Sequence, residues 1–251
     1  MSFPLALMSF AVGMLIGLTG MGGAALMAPF LIAVVGVRPI AAVGTDLVYG
    51  ALTKIVGAAM HFRQGTVDLP MVRRLATGSV PGGLLGASLV WMLPHMIHDS
   101  ERAVKRAIGA LLVLVAAILL ARILVPGKAS DEASRWMRPR TMQWWGGMVG
   151  LCVGLTSVGS GTLLTPILMM LYPKRPSTVV GTDVFHAAIL VTATSLVYVG
   201  SNEVEWSLVP ALLAGAIPGI LVGSKLAVRV PQRPLRFALA VVLLFSACRM
   251  L

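Results

Sequence analysis

The chain is 251 residues long, and 57% of its residues are hydrophobic while only 12% are charged. A soluble domain carries about 25% charged residues, so the composition excludes a soluble globular protein and predicts an all-α polytopic membrane protein. The net charge of +11 does not indicate nucleic-acid binding, because the basic residues lie between apolar runs, as in cytoplasmic loops that face anionic lipid. Cys152 and Cys248 lie inside apolar runs, and the sequence predicts no disulfide, metal site or cofactor.

The first apolar run, 3–37, is too long for one membrane span, which needs about 20 residues. Glycines interrupt it at TGMGGA (19–24), and they interrupt a later run, 144–172, at TSVGSGT (156–162). Since glycine permits tight turns, we expect each of these runs to form a helical hairpin that turns inside the bilayer. The first run lacks the basic start of a signal peptide, so we expect it to be retained.

Six further apolar runs have lengths near that of one span, although the last is marginal. They are 40–62, 71–94, 107–125, 177–200, 207–228 and 235–250. With the two hairpins, these runs predict three transmembrane helices and one hairpin in each half of the chain.

The second half of the chain repeats the first at a constant shift of 137 positions, with 25 identities among the 79 aligned pairs between residues 12 and 90. Gly-Thr-Asp recurs at 44–46 and 181–183, and Pro-Gly at 81–82 and 218–219. Scattered apolar matches would not preserve these polar and turn residues at one shift, so the sequence indicates an internal duplication. We predict a first membrane repeat over 1–124, a linker over 125–141 and a second membrane repeat over 142–251.

The distribution of Lys and Arg favours one orientation of the halves. If each glycine-broken run crossed the membrane once, the basic residues would divide almost evenly between the two sides. If each run is a hairpin, the halves are inverted, and 14 of the 20 basic residues lie on one side against 5 on the other, with Lys54 inside a span. The positive-inside rule therefore predicts inverted repeats, a cytoplasmic linker and both termini outside.

The glycine turns are candidates for a substrate site, because transporters with inverted repeats bind their substrates at interrupted helices near the repeat interface. Purely structural turns are the alternative. The residues that we expect to bind a substrate are Thr19, Gly20, Gly22, Gly23, Thr45, Lys54, Thr156, Ser157, Gly159, Ser160, Gly161 and Thr182.

Asp46 and Asp183 occupy equivalent positions inside spans, where a carboxylate is costly and indicates function. Lys54 shares a helix face with Asp46, and His186 shares one with Asp183. We expect Lys54 to contact an anion and Asp46, Asp183 and His186 to couple transport to protons or ions. Because Asp46 has a lysine on its face, we expect Asp183 to be the better proton carrier. The alternative is that these groups only satisfy one another within the bundle.

These motifs resemble those of the TauE/SafE sulfite exporter family, also called the toluene-sulfonate uptake permeases. The resemblance rests on GLTGMGGAALMAPFL, VGTDL and GTVDL in the first half and on GLTSVGSGTLLTPIL, VGTDV and NEVEW in the second. It implies a multi-pass permease of the bacterial inner membrane for small sulfur-containing anions such as sulfite or organosulfonates. Asp46 and Asp183 depart from many members of this family, which carry Ser or Asn there.

We expect a secondary transporter driven by an ion gradient, because the sequence contains no GxxxxGK[ST] nucleotide-binding motif. One alternative is an intramembrane enzyme with Ser160 as nucleophile and His186 as base, although the spacing does not match GxSxG. Another is an accessory or assembly protein without a transported substrate. The expected partners are a small anion and the lipid bilayer. The oligomeric state stays open, with a homodimer as one alternative.

Labelling of single cysteines tests the predicted topology in a variant that lacks Cys152 and Cys248. We expect Asn202→Cys to react with a membrane-impermeant thiol reagent from outside only, and Ser130→Cys from the cytoplasmic side only. The reason is the unequal division of basic residues between the two sides. Reaction of both cysteines from the same side would contradict the inverted arrangement.

Overall fold

The structure is a computed structural model that describes residues 2–19, 24–124, 139–159, 161–165, 168, 172, 174–227 and 232–251. All regular secondary structure in these residues is helical, which confirms the all-α prediction for them. The described helices are α1 (Ser2–Thr19), α2 (Ala24–Phe30, continued by a π-helical turn over Leu31–Val35), α3 (Pro39–Arg63), α4 (Leu69–Met96), α5 (Ser100–Leu124), α6 (Pro139–Thr156), α7 (Pro176–Gly200), α8 (Val209–Ala227) and α9 (Gln232–Met250).

Five of the described helices, α3, α4, α5, α7 and α8, are long and apolar enough to cross a membrane. Shorter apolar segments lie in α1, in α2 with its π-helical turn, and in α9. These helices are consistent with a polytopic membrane protein. The predicted linker lies outside the described residues except for its last three positions, which begin α6.

Helices α3 and α7 begin in the same way at equivalent positions. Each starts with a proline that follows an arginine, Arg38 in the first half and Arg175 in the second. Proline suits the first position of a helix because the N–H group that it lacks would have no partner there. The repeated Arg-Pro dipeptide of the sequence therefore marks the start of two equivalent helices.

Two equivalent helix pairs join the halves: α1 packs along α8, and α4 packs along α6. Both pairs are parallel and lined by glycines. A methyl group built on Gly82 would lie 2.3 Å from the carbonyl oxygen of Gly147, and one built on Gly219 would lie 2.3 Å from that of Phe10. These two contacts are related by the shift of 137 positions. Small residues thus bring the backbones together, as is common in membrane helix pairs.

The equivalent helices α3 and α7 pack against each other and run antiparallel. The neighbour of Gly50 is Val191, whereas Gly57, further along α3, lies beside Val184, which is earlier in α7. Helices α5 and α9 pair in the same sense, since Gly109 near the start of α5 contacts Met250 at the end of α9. Each helix of these two pairs therefore meets its own counterpart from the other half.

The Gly-Thr of each Gly-Thr-Asp motif holds a loop of the other half. The Thr45 hydroxyl accepts a hydrogen bond from the Glu205 N–H at 2.9 Å, and the Thr182 hydroxyl accepts one from the Asp68 N–H at 3.0 Å. A methyl group on Gly44 would lie 2.0 Å from the carbonyl oxygen of Glu203. The motif thus lets a loop approach closely at each end of the α3–α7 pair.

Salt bridges join three elements at the end of the bundle where α3 begins, which we call the Arg38 end. Arg38 lies 3.3 Å from Glu101 and 3.0 Å from Glu203. Glu101 also accepts a hydrogen bond from the Ile40 N–H at 2.9 Å. Burial raises the pKa of Glu203 above its ordinary value, and Arg38 opposes that shift.

We call the opposite end, where α3 ends, the Asp68 end. Here Asp68 accepts hydrogen bonds from the Met71 N–H at the start of α4 and from the Tyr172 hydroxyl. These contacts attach the loop between α3 and α4 to the second half.

Substitution of one interfacial glycine tests the close packing of α4 on α6. Alanine in a helix is intrinsically favoured over glycine by about 1 kcal/mol, but its methyl group at Gly82 meets backbone. We expect Gly82→Ala to lower the unfolding temperature of the purified protein in detergent, and its equivalent Gly219→Ala to do the same. Gly200→Ala is the control, because a methyl group there contacts nothing within 4 Å. Equal unfolding temperatures for Gly82→Ala and Gly200→Ala would contradict this packing.

Candidate functional site

A cavity of about 230 Å³ lies between α1, α3, α7 and α8, toward the Asp68 end of the bundle. Its size suits a small ligand. The polar residues that line it are Asp46, Tyr49, Thr53, Lys54, His61 and Ser224. Among these, Asp46 and Lys54 bring opposite charges into one space between apolar helices.

Lys54 lies half-buried on α3 and lines this cavity. The salt bridges found among the described residues are Arg38–Glu101, Arg38–Glu203 and Asp99–Arg102, so the Lys54 ammonium forms none within 4.0 Å in that part of the chain. It lies within electrostatic range of both Asp46 and Asp183. The cavity therefore contains a cation that is not held in direct contact by either carboxylate.

Asp46 is 2% exposed, and its two oxygens differ in their surroundings. Oδ2 accepts a hydrogen bond of 2.6 Å from the hydroxyl of Ser157, which begins the turn after α6. Oδ1 has no hydrogen-bond partner among the described residues. Asp46 thus connects α3 of the first half to the second glycine turn, and one of its oxygens stays available.

Asp183 has a similar environment, but it does not line this cavity. Its Oδ2 accepts a hydrogen bond from the Thr165 hydroxyl, and its Oδ1 has no partner among the described residues. Asp183 is also 2% exposed. The two equivalent carboxylates are therefore both buried and both half-satisfied by hydroxyl groups, and only Asp46 meets the open cavity.

His186 is fixed to a neighbouring helix and not to Asp183. Its Nε2 lies 2.6 Å from the Ser79 hydroxyl of α4, and its Nδ1 has no partner in the described part of the chain. The equivalent residue in the first half is Tyr49, which lines the cavity and whose hydroxyl is also without a described partner. The two equivalent positions thus hold different polar groups, and only the first faces the cavity.

The second glycine turn needs left-handed backbone conformations at three of its residues. The φ angles are +61° at Ser157, +127° at Gly159 and +98° at Gly161. Two of these positions are glycines, which adopt such angles without steric cost. The Thr156 hydroxyl is used within the turn, since it donates to the Cys152 carbonyl and accepts from the Val158 N–H.

The structure brings together three of the predicted site residues, Asp46, Lys54 and Ser157. Thr45 and Thr182 lie apart from them, each bound to a loop at opposite ends of the bundle. The other predicted turn residues of the first hairpin and Ser160 are not placed: Gly20, Gly22, Gly23, Ser160 and the side chain of Thr19 lie outside the described residues.

Four polar residues of the cavity were not predicted from the sequence: Tyr49, Thr53, His61 and Ser224. Tyr49 and Thr53 follow Asp46 by three and seven positions, which is the spacing of one helix face. The helix face that contains Asp46 therefore also predicts Tyr49 and Thr53 as site residues. Thr165, the partner of Asp183, carries no comparable signal.

Among the described residues, no group of three or more His, Cys, Asp and Glu side chains could hold a metal ion.

Comparison with known proteins gives consistent matches over nearly the whole chain. A family model described as "Sulfite exporter TauE/SafE" matches residues 5–250. The chain is 40% identical to "Probable membrane transporter protein YjnA" of Bacillus subtilis (strain 168), over 100% of both chains. It is 25% identical to "Probable membrane transporter protein YunE" of the same strain, over 98% of this chain and 95% of the relative. No solved structure matches.

Replacement of Gly159 tests the importance of the second turn. A valine there would have to adopt a φ of +127°, and its Cβ would lie 3.3 Å from side-chain atoms of Val153 and Leu163. We therefore expect Gly159→Val to reduce transport in proteoliposomes severely at equal protein amounts. Gly22→Val, at the equivalent position of the first turn, should do the same, whereas Gly200→Val serves as the control. Normal transport by both turn variants would exclude the turns as the site.

Proposed function

Because the chain belongs to the sulfite exporter TauE/SafE family and is therefore a membrane transporter and not an enzyme, we propose that it is a secondary transporter of small sulfur-containing anions such as sulfite or an organosulfonate. The observation that carries the proposal is the ammonium group of Lys54, which lines the cavity between apolar helices without a direct salt bridge among the described residues. A cation in this position is suited to an anionic ligand.

We propose further that the two halves are inverted repeats in the inner membrane of a bacterium, with a cytoplasmic linker over 125–141. The antiparallel packing of the equivalent helices α3 and α7 supports this arrangement, since two equivalent helices in parallel repeats would run the same way. The excess of basic residues in the loops at the Asp68 end supports placing that end in the cytoplasm. The relatives named above come from a bacterium.

The anion would bind at Lys54, with the Tyr49 hydroxyl, which has no described partner, as a neighbouring donor. Ser157 and the glycine turn would complete the site from the second half, because Ser157 already contacts Asp46 there. The site would then lie at the interface of the two repeats, where inverted-repeat transporters hold their substrates.

Charge balance supports coupling to protons at Asp46. The side chains that line the cavity include one acid and one base, Asp46 and Lys54, and one histidine, His61. Asp183 is also within electrostatic range of Lys54 but does not line the cavity. Adding an anion would leave an uncompensated negative charge in a medium of low dielectric constant, which is costly. A proton on the free Oδ1 of Asp46 removes that cost, so we propose that the anion and a proton bind together. Because Asp46 lines the cavity and Asp183 does not, we propose Asp46 as the proton carrier in this conformation.

Charge substitutions at the cavity test this function by thermal unfolding of purified protein with sulfite, sulfate, thiosulfate, sulfoacetate or taurine. We expect at least one anion to stabilise the parent, and Lys54→Met to weaken its binding at least about tenfold, or about 1.4 kcal/mol. Lys174→Met is the control, because Lys174 is exposed in a loop. Lys54→Met should also lose stability, since Asp46 then lacks its nearby cation.

The double variant Asp46→Asn with Lys54→Met should recover stability without recovering anion binding. Asp46→Asn alone should still bind the anion, but its binding should no longer strengthen as the pH falls. Binding by Lys54→Met as tight as in the parent would exclude Lys54 as the anion site.

A further inference from the structure

The open cavity has an equivalent region in the other half of the molecule, and that region is closed. The residues at the positions equivalent to Thr53, Lys54, Gly57 and His61 are Leu190, Val191, Thr194 and Tyr198. All four are at most 2% exposed. The four residues of the open cavity are all partly exposed. The repeat symmetry of the sequence is therefore broken at this point of the structure.

Helix packing shows the same asymmetry. Helix α4 packs along α7, whereas the equivalent pair, α8 and α3, meets at only a few positions. On the closed side, which is the contact between α4 and α7, a methyl group built on Gly83 would lie 2.7 Å from both Leu190 and Thr194. The equivalent of Gly83 is Ile220, which lines the open cavity. The cavity exists because the α1–α8 pair stands away from α3, while the α4–α6 pair is pressed against α7.

Polar contacts on the closed side and at the Arg38 end have no equivalent among the described residues of the open side. The Tyr198 hydroxyl donates a hydrogen bond of 2.7 Å to the Gly154 carbonyl oxygen of α6. Its counterpart His61 pairs instead with Thr66 in the loop of its own half. At the Arg38 end, Arg38 bridges Glu101 and Glu203, whereas the positions equivalent to these two acids hold Ala238 and Thr66.

We propose that this region is a second vestibule for the transported anion, which opens toward the Arg38 end when the α4–α6 pair moves away from α7 and the α1–α8 pair closes on α3. The proposal rests on the proposed transport function. Leu190, Val191 and Thr194 would line the vestibule, and the Tyr198–Gly154 hydrogen bond is the latch that closes it. Because Val191 stands where the first cavity has Lys54, the vestibule lacks that cation and serves for passage, with the anion site remaining at Lys54.

Matched single cysteines test the second vestibule in a variant without Cys152 and Cys248. We expect Thr53→Cys to react with a membrane-impermeant thiol reagent from the Asp68 end only. Its equivalent Leu190→Cys should react from the Arg38 end only, and more slowly. Addition of Tyr198→Phe, which removes the latch, should speed the reaction of Leu190→Cys at least about tenfold and slow that of Thr53→Cys, because the open and closed states compete.

Thr194→Cys, a replacement of similar size, gives the same test if Leu190→Cys does not fold. No reaction of either cysteine from the Arg38 end, with or without Tyr198→Phe, would overturn the proposal, as would equal reaction from both ends. The measurement needs no sulfur anion, so it separates the two proposals. Labelling of Leu190→Cys with no anion binding at Lys54 would support the vestibule and contradict the substrate assignment. Anion binding without labelling would do the reverse.

Discussion

The cost of placing a charge inside a bilayer governs the centre of this molecule. Asp46 and Asp183 are buried in helices that lie among apolar neighbours, and each keeps one oxygen bonded to a hydroxyl group. Lys54 acts on both carboxylates from the edge of the cavity without contacting either within salt-bridge distance. A charge in such a place requires a partner of opposite charge. When a bound anion pairs with the Lys54 ammonium, the Asp46 carboxylate must therefore be neutralised by another group. Binding of a proton is the simplest of these.

Reciprocal packing of the halves creates the space in which these charges lie. The glycine-lined pairs α1–α8 and α4–α6 each take one helix from each half, so neither half forms the bundle alone. The loops held by Thr45 and Thr182 fix the two ends of the α3–α7 pair in equivalent ways. The packing around the α3–α7 pair is unequal, since α4 packs along α7 while its counterpart α8 meets α3 at only a few positions. Rigid pairs that move as units are the usual means by which repeat-based transporters expose one site to two sides.

Much of this architecture could be predicted from the sequence, since composition and run length indicate membrane helices and the constant shift indicates the repeat. The spacing of eight positions between Asp46 and Lys54 correctly placed both on one face of α3. The bond from Ser157 to Asp46 could not be predicted, because it joins residues 111 positions apart in different halves. The sequence also assigned Thr45 and Thr182 to the substrate, although in the structure each accepts a loop N–H. A triplet such as Gly-Thr-Asp does not show which of its side chains faces a loop. The sequence also does not predict which of the two equivalent regions is open. That depends on small differences in packing free energy, which the identities between the repeats do not reveal.

The most direct test of coupled anion and proton binding at Lys54 and Asp46 is a count of the protons taken up when the anion binds. Calorimetry of anion binding at mildly alkaline pH, in two buffers with different heats of ionisation, measures this number. Coupled binding at Asp46 predicts uptake of about one proton per anion in the parent protein and almost none in Asp46→Asn. Anion binding by the parent without proton uptake, or the same uptake in Asp46→Asn, would contradict the charge balance between Asp46 and Lys54.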